Sequence, residues 1–261
     1  MNKTALITGA SRGIGEEIAR IHASKGDDLV LIARTLSDME DLKSELEKAH
    51  NIRVHIIQKD LSVRDSAAAV YDEVTGRAIV VDYLVNNAGF GDFRMFAETD
   101  WDKQEKMISV NITALTHLTR LFIPEMIGRG EGKILNVASL AAFQPGPGMS
   151  VYFASKAFVL SFSQALNNEL KDQGITATAL CPGSTKSDFD AVIMGDPKLV
   201  RERKMDSARE VAEFGYRSMM KGKPVAIYGS KNRAMIFLSR FFPREFIVKM
   251  ARQIQERKHL P

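Results

Sequence analysis

Seven short runs of the chain are apolar at consecutive positions, not only at alternate ones. They cover residues 4–8, 29–33, 54–58, 83–86, 133–138, 176–181 and 225–228, and are rich in Val, Ile and Leu. A strand covered on both faces reads this way, so these runs predict strands of a parallel sheet. Between them the apolar positions recur at helical spacing. Ile14, Ile18, Ile21 and His22 mark one helical face, Met39, Leu42 and Leu46 a second, and Val159, Phe162, Leu166 and Leu170 another. Strand–helix alternation over the first 230 residues predicts an α/β fold: a Rossmann-type doubly wound parallel sheet of seven strands with helices on both faces.

Two regions break the rhythm. Residues 184–210 follow a strand as a long charged excursion containing Gly and Pro, the kind of insertion that carries ligands at the carboxyl edge of such a sheet. Residues 231–261 extend past the last predicted strand. No linker or repeat interrupts the chain, so residues 1–261 are expected to form one domain: a core (1–230), a substrate lid (184–210) and a helical extension (231–261).

Composition narrows the function classes. At 45% hydrophobic and 26% charged residues the chain is ordinary globular protein, neither disordered nor fibrous. Cys181 is the only cysteine, which excludes a disulfide framework and fits a reducing compartment. The longest uncharged run, 134–155, is broken by Gln144-Pro145-Gly146-Pro147-Gly148 and so is not read as a membrane helix. No targeting segment is visible, and a cytoplasmic location is expected. The five histidines lack ligand spacing among themselves or with Cys181, so no metal is expected. No aromatic–basic platform supports nucleic-acid binding.

The first strand–helix turn reads Thr8-Gly9-Ala10-Ser11-Arg12-Gly13-Ile14-Gly15. Its glycines suit a tight turn, a close backbone approach to a diphosphate and close helix–strand contact, and the helix N-terminus offers unpaired N–H groups to the anion. A dinucleotide site follows. The second strand ends without the acid that holds a ribose 2′-hydroxyl; Arg34 stands there, and Arg12 can reach the same place. Guanidinium groups match phosphate geometry, so NADP(H) is expected over NAD(H).

Tyr152 and Lys156 lie at i and i+4, on one helical face. A phenol is a poor proton carrier at neutral pH until a nearby cation stabilises its phenolate, and Lys156 is one turn away. Ser139 ends the fifth predicted strand, Asn86-Asn87-Ala88-Gly89 ends the fourth, and Asn111 is expected to open a helix after it. All fall at the edge where this architecture binds ligands.

With Asp60-Leu61 and Pro182-Gly183, these motifs resemble the short-chain dehydrogenase/reductase family over residues 3 to about 230. The resemblance implies an NADP(H)-dependent enzyme interconverting a carbonyl and an alcohol. Tyr152 would be the general acid/base and Ser139 would hold the substrate oxygen. Lys156 would bind the nicotinamide ribose and depress the tyrosine pKa, and Asn111 would position a water linking Lys156 to solvent. Asp60 would contact the adenine, with a turn or cap acid as its plainer reading. Asn87, Ala88 and Gly89 would wall the adenosine, and Pro182 and Gly183 the nicotinamide. Thr185 is the nearest candidate for the carboxamide, with Ser187 as rival. The resemblance also implies a homodimer or homotetramer. A protein that senses NADPH without turnover is the alternative, against which all of Ser139, Tyr152 and Lys156 are present.

The segment from Ser139 to Tyr152 is uncharged and mostly apolar. Leu140, Ala141, Phe143, Met149 and, in the excursion, Phe189 are therefore expected to line a pocket for a lipophilic small molecule. The extension is read as two helices split at Pro243, the second carrying Phe246, Ile247, Met250 and Ile254 on one side. It holds eight Lys or Arg against two Glu, a net +6, so the overall +4 leaves −2 on residues 1–230. Three readings stay open for it: packing on the body or another subunit, peripheral contact with an anionic membrane, or a wall over the site.

Overall fold

The computed structural model describes residues 2–186, 193 and 205–259, with side chains to residue 256. Seven strands, β1 (Thr4–Thr8), β2 (Asp28–Ala33), β3 (Val54–Gln58), β4 (Tyr83–Asn86), β5 (Gly132–Val137), β6 (Ile175–Cys181) and β7 (Val225–Ile227), form one sheet. Their order is β3-β2-β1-β4-β5-β6-β7, and every pairing is parallel. The predicted strands stand, with ends shifted by a residue at β2, β5, β6 and β7. Asp28, for instance, opens β2 because its carboxylate accepts from the Arg53 backbone N–H and guanidinium.

Alternate residues of each strand feed two cores. Ala5, Ile7, Leu29 and Leu31 face α1 (Gly13–Ser24), α2 (Leu36–His50) and α7 (Ala208–Met220). Leu6, Val30, Ile32, Leu84 and Ile134 face α3 (Ser66–Gly76), α5 (Leu115–Arg129) and α6 (Ser150–Leu170). That two-sided burial explains why the strands are apolar at both parities. The strand order reverses between β1 and β4, and the loops beyond their carboxyl ends enclose the crevice where such sheets bind ligands.

One expectation is corrected here. Asn111 does not open a helix. It lies inside a run formed by α4 (Trp101–Ile108), a widened π-type stretch (Ser109–Ala114) and α5. The stretch accommodates the side chain's tie to a neighbouring loop, a tertiary contact that helical periodicity does not reveal.

At the base of the excursion Thr185 bridges to Asp206; the Lys186 N–H donates to the Asp206 carbonyl and the Asp206 N–H to that of Ser184. Phe189 lies outside the described residues, as does most of the expected lid. Past β7 come α8 (Ser230–Ser239) and α9 (Arg244–His259), split at Pro243 as predicted. Their inward stripe is narrower than expected: Ile236, Ile247, Ala251 and Gln255 are buried, while Phe246 and Ile254 are exposed.

Candidate active site

The glycine loop leaves β1 and reaches α1 through two left-handed glycines, Gly9 at φ +64° and Gly13 at φ +61°. Other residues rarely adopt that backbone. A Cβ on Gly15 would lie 2.2 Å from the Gly9 carbonyl oxygen, so loop and helix meet backbone to backbone. The loop is tied to β4 from both sides. Asn87 Nδ2 donates to the carbonyls of Thr8 and Gly9, each at 3.0 Å, and Thr8 Oγ1 accepts from the N–H groups of Asn87 and Ala88. The N-cap residue of α1 is Arg12, whose side chain does not cap the helix, so the first-turn N–H groups face the crevice without a side-chain acceptor from that position. Ser11 and Ile14 complete the loop, half-buried.

Arg34 stands exposed just past β2. Arg12 Nε donates to Asp38 Oδ2 at 2.9 Å, an acid on α2 rather than at the end of β2. Asp60 shows its plainer role: its Oδ1 accepts from the backbone N–H and hydroxyl of Ser62. Burial raises the Asp60 carboxyl, but those bonds, with Arg34 and Lys106 nearby, outweigh it and hold it below its ordinary value. Leu61, beside it, is buried in the core.

Tyr152 and Lys156 share the inner face of α6, both buried. The Lys156 ammonium lies 5.8 Å from the centre of the Tyr152 ring and donates to the Val137 carbonyl at 2.8 Å, two residues before Ser139. Burial pushes its pKa down to about 8, against a small opposing pull from Cys181. Cys181 is itself buried, and burial pushes its thiol up to about 12. Ser139 Oγ accepts from the Ala141 N–H at 3.1 Å and so caps the turn Leu140–Phe143, which packs on α6.

Asn111 joins these parts. Its Oδ1 accepts from the Phe90 N–H at 3.1 Å. Its Nδ2 donates to the Phe90 carbonyl and to Ser155 Oγ, each at 3.0 Å, and Ser155 in turn donates to the Tyr152 carbonyl. A Cβ on Gly89 would meet Asn111 Oδ1 at 3.0 Å and Lys156 Nζ at 3.3 Å, so all three converge.

Met149 and Ala141 are buried in one cluster with Tyr152, Phe153, Met107 and Ile193. Phe143 is not among them; partly buried, it packs against the neighbouring cluster of Leu115, Ala138, Val159, Leu160, Ala179 and Cys181. Leu140 sits beside Gly183 and donates its N–H to the Pro182 carbonyl. Thr185 Oγ1 donates to the Gly183 carbonyl at 3.2 Å. Three contributors were not anticipated. Gly91 is one: a Cβ there would meet Met149, Ile193 and Tyr152 at 3.2–3.3 Å. Asp92 is buried and holds Lys103 and Gln104 of α4, bracing the same loop. Asn232 of α8 lies 3.4 Å from where a Cβ on Gly183 would sit, which brings the extension to the edge of the site. Only the glycine following Asn86-Asn87-Ala88-Gly89-Phe90 could have been suspected from the sequence.

Comparison with known proteins agrees with this arrangement. The family model for short chain dehydrogenase matches residues 3–197. The chain is 40% identical over 200 residues to sulfoacetaldehyde reductase of Chromohalobacter salexigens, covering 75% of this chain and 77% of that protein. It is 37% identical over 190 residues to 17-beta-hydroxysteroid dehydrogenase type 3 of Rattus norvegicus, covering 72% of this chain and 61% of that protein. Coverage falls to 15% of glycine betaine reductase of Emericella nidulans, which is 36% identical over 187 residues, 72% of this chain. Among solved structures, the short-chain dehydrogenase from Sphingobium yanoikuyae in complex with NADPH superposes with a TM-score of 0.81 at 32% identity, covering 91% of this chain and 93% of that one. Glycine loop, buried Tyr–Lys pair and sequence similarity agree: the chain belongs to the short-chain dehydrogenase family of oxidoreductases.

Proposed function

We propose that the chain is an NADP(H)-dependent oxidoreductase that interconverts a carbonyl and an alcohol on a lipophilic small molecule, with Tyr152 as general acid/base. The observation that carries this is the buried Tyr152–Lys156 pair beside the capping serine, at the carboxyl edge of the sheet.

The chain fits the cofactor. The cradle at Gly9, Ser11, Arg12, Gly13, Ile14 and Gly15 leaves no room for a Cβ at Gly9 or Gly15, and its helix N-terminus suits a diphosphate. Arg34 and Arg12 would hold a 2′-phosphate. Asp60, Leu61, Asn87, Ala88 and Gly89 would wall the adenosine; Pro182, Gly183 and Thr185 would lie against the nicotinamide, and Lys156 would bind its ribose. NADP(H), when bound, supplies or accepts the hydride.

The chain's own groups handle the proton. In reduction the Tyr152 phenol gives its proton to the substrate oxygen; in oxidation its phenolate takes one. The Lys156 cation favours that phenolate. Ser139 Oγ accepts from the Ala141 N–H, which leaves its own hydrogen to donate to the substrate oxygen. Burial pushes the Lys156 pKa down to about 8, which brings its proton exchange toward neutrality. Both Nδ2 hydrogens of Asn111 are committed to Phe90 and Ser155, so its side chain would meet a water only as an acceptor, through the second lone pair of Oδ1. The Met149–Ala141–Ile193 cluster supports an apolar substrate, with Leu140 at its border.

A homodimer or homotetramer through α5 and α6 is part of the proposal. Phe158, exposed on α6 and stacked on Phe162 with ring centres 5.9 Å apart, supports that contact. The test of function is consumption of NADPH with a panel of hydrophobic ketones and aldehydes. Turnover with tighter binding of NADPH than NADH is expected; tighter NADH binding would overturn the cofactor assignment.

A further inference from the structure

The extension carries a face that neither the sheet nor the candidate site uses. Met235, Phe237, Leu238, Phe241, Phe242 and Phe246 are all exposed, within twelve residues of chain. A lone exposed apolar side chain is ordinary, but a contiguous set marks a contact surface. Four of the six meet in ring pairs. Phe237 packs edge-on against Phe241 at 5.5 Å and Phe242 stacks on Phe246 at 5.4 Å, with the two pairs joined at 241–242. Phe241, at the join, is 71% exposed. Ile236, Ile247 and Ala251 of the same helices are buried, so the exposed set occupies one side of the extension.

Charge identifies the occupant. Lys231, Arg233, Arg240, Arg244 and Lys249 are exposed in the same stretch of chain, against one exposed acid, Glu245. The extension as a whole carries +6, on a body of −2. No helix among the described residues is long and apolar enough to cross a membrane. Short helices with exposed rings and exposed cations fit the boundary between headgroups and acyl chains. A second copy of the chain is the rival occupant, but a two-fold contact through this face would set those cations against themselves.

We propose that the aromatic face of this basic extension docks on the surface of an anionic lipid bilayer. The phenylalanine rings seat among the acyl chains and the Lys and Arg side chains among the headgroup phosphates. Docking does not depend on the reaction proposed above, and its test needs no turnover.

The test is co-sedimentation of the intact chain with vesicles of phosphatidylcholine containing phosphatidylserine, or of phosphatidylcholine alone, at low and high salt. Binding is expected to the anionic vesicles, weaker by at least about ten-fold on neutral vesicles or at high salt. Phe241→Ser combined with Phe242→Ser should abolish it with the circular dichroism spectrum and Tm unchanged, since both rings are exposed. No sedimentation of the intact chain would overturn the proposal, as would undiminished binding by the double variant. Self-association lost in that variant, with no vesicle binding by the intact chain, would give the face to a second copy instead.

Discussion

Lys156 shows how one residue's burial sets both stability and chemistry. Its ammonium is taken out of water, with the Val137 carbonyl as a hydrogen-bond acceptor, and its pKa falls to about 8 from 10.5. Below about 8 the group is charged in folded and unfolded chains alike, and the burial cost is present in full. Between about 8 and 10.5 the unfolded chain binds more protons, so this residue adds stability as pH rises. Lys156→Met should therefore flatten that rise. Denaturation midpoints of both proteins, followed without cofactor from neutral to alkaline pH, read the difference directly. Parallel curves would show that the site does not depress this lysine. The residues themselves were legible. Tyr152, Lys156 and Ser139 stand at readable spacings, and their local partners lie where helix and strand geometry put them. Asn111 was legible as a position but not as a conformation, because the Phe90 backbone that shapes it lies 21 residues away. Phe143 was less legible: an apolar stretch does not say which buried cluster each side chain joins, and Phe143 packs on a different one from Met149 and Ala141.

At the scale of elements, the glycine loop couples fold to binding. Gly15 brings α1 against the loop so closely that a methyl group would occupy the space of the Gly9 carbonyl. Gly15→Ala should then cost about 2 kcal/mol or more of stability and weaken NADPH binding. Thermal denaturation and cofactor titration check both, and an unchanged Tm would contradict the close approach. The strands were easy to read because burial on both faces removes polar positions from them. Helix pairing across the chain was not. The Arg12–Asp38 bond joins a loop to a helix, and the Asp92 brace joins the loop after β4 to α4. Each depends on topology rather than on local pattern. The extension's inward stripe was read too broadly for the same reason. Periodicity marks an apolar side; the structure buries Ile247 and Ala251 of it and leaves Phe246 exposed.

For the whole molecule, charge is divided unevenly between body and extension. The overall +4 is the sum of a slightly acidic body and a strongly basic extension, so it describes neither. On the body, the exposed Phe158 on α6 predicts a subunit contact. Phe158→Glu should shift the chain toward monomer in sedimentation velocity, because a buried unpaired carboxylate is costly in an apolar interface. A wild-type chain that is already monomeric would remove that assembly. On the extension, the aromatic face is left for a bilayer, and the two surfaces can be tested independently.

Proton transfer by Tyr152 at a site that holds NADP(H) is the proposed chemistry. Its most direct test is NADPH oxidation with a hydrophobic ketone by the intact chain and by Tyr152→Phe, with cofactor binding measured alongside. Loss of about 10²-fold or more in kcat, with NADPH binding retained, is the predicted result. Unchanged turnover in the variant would contradict it.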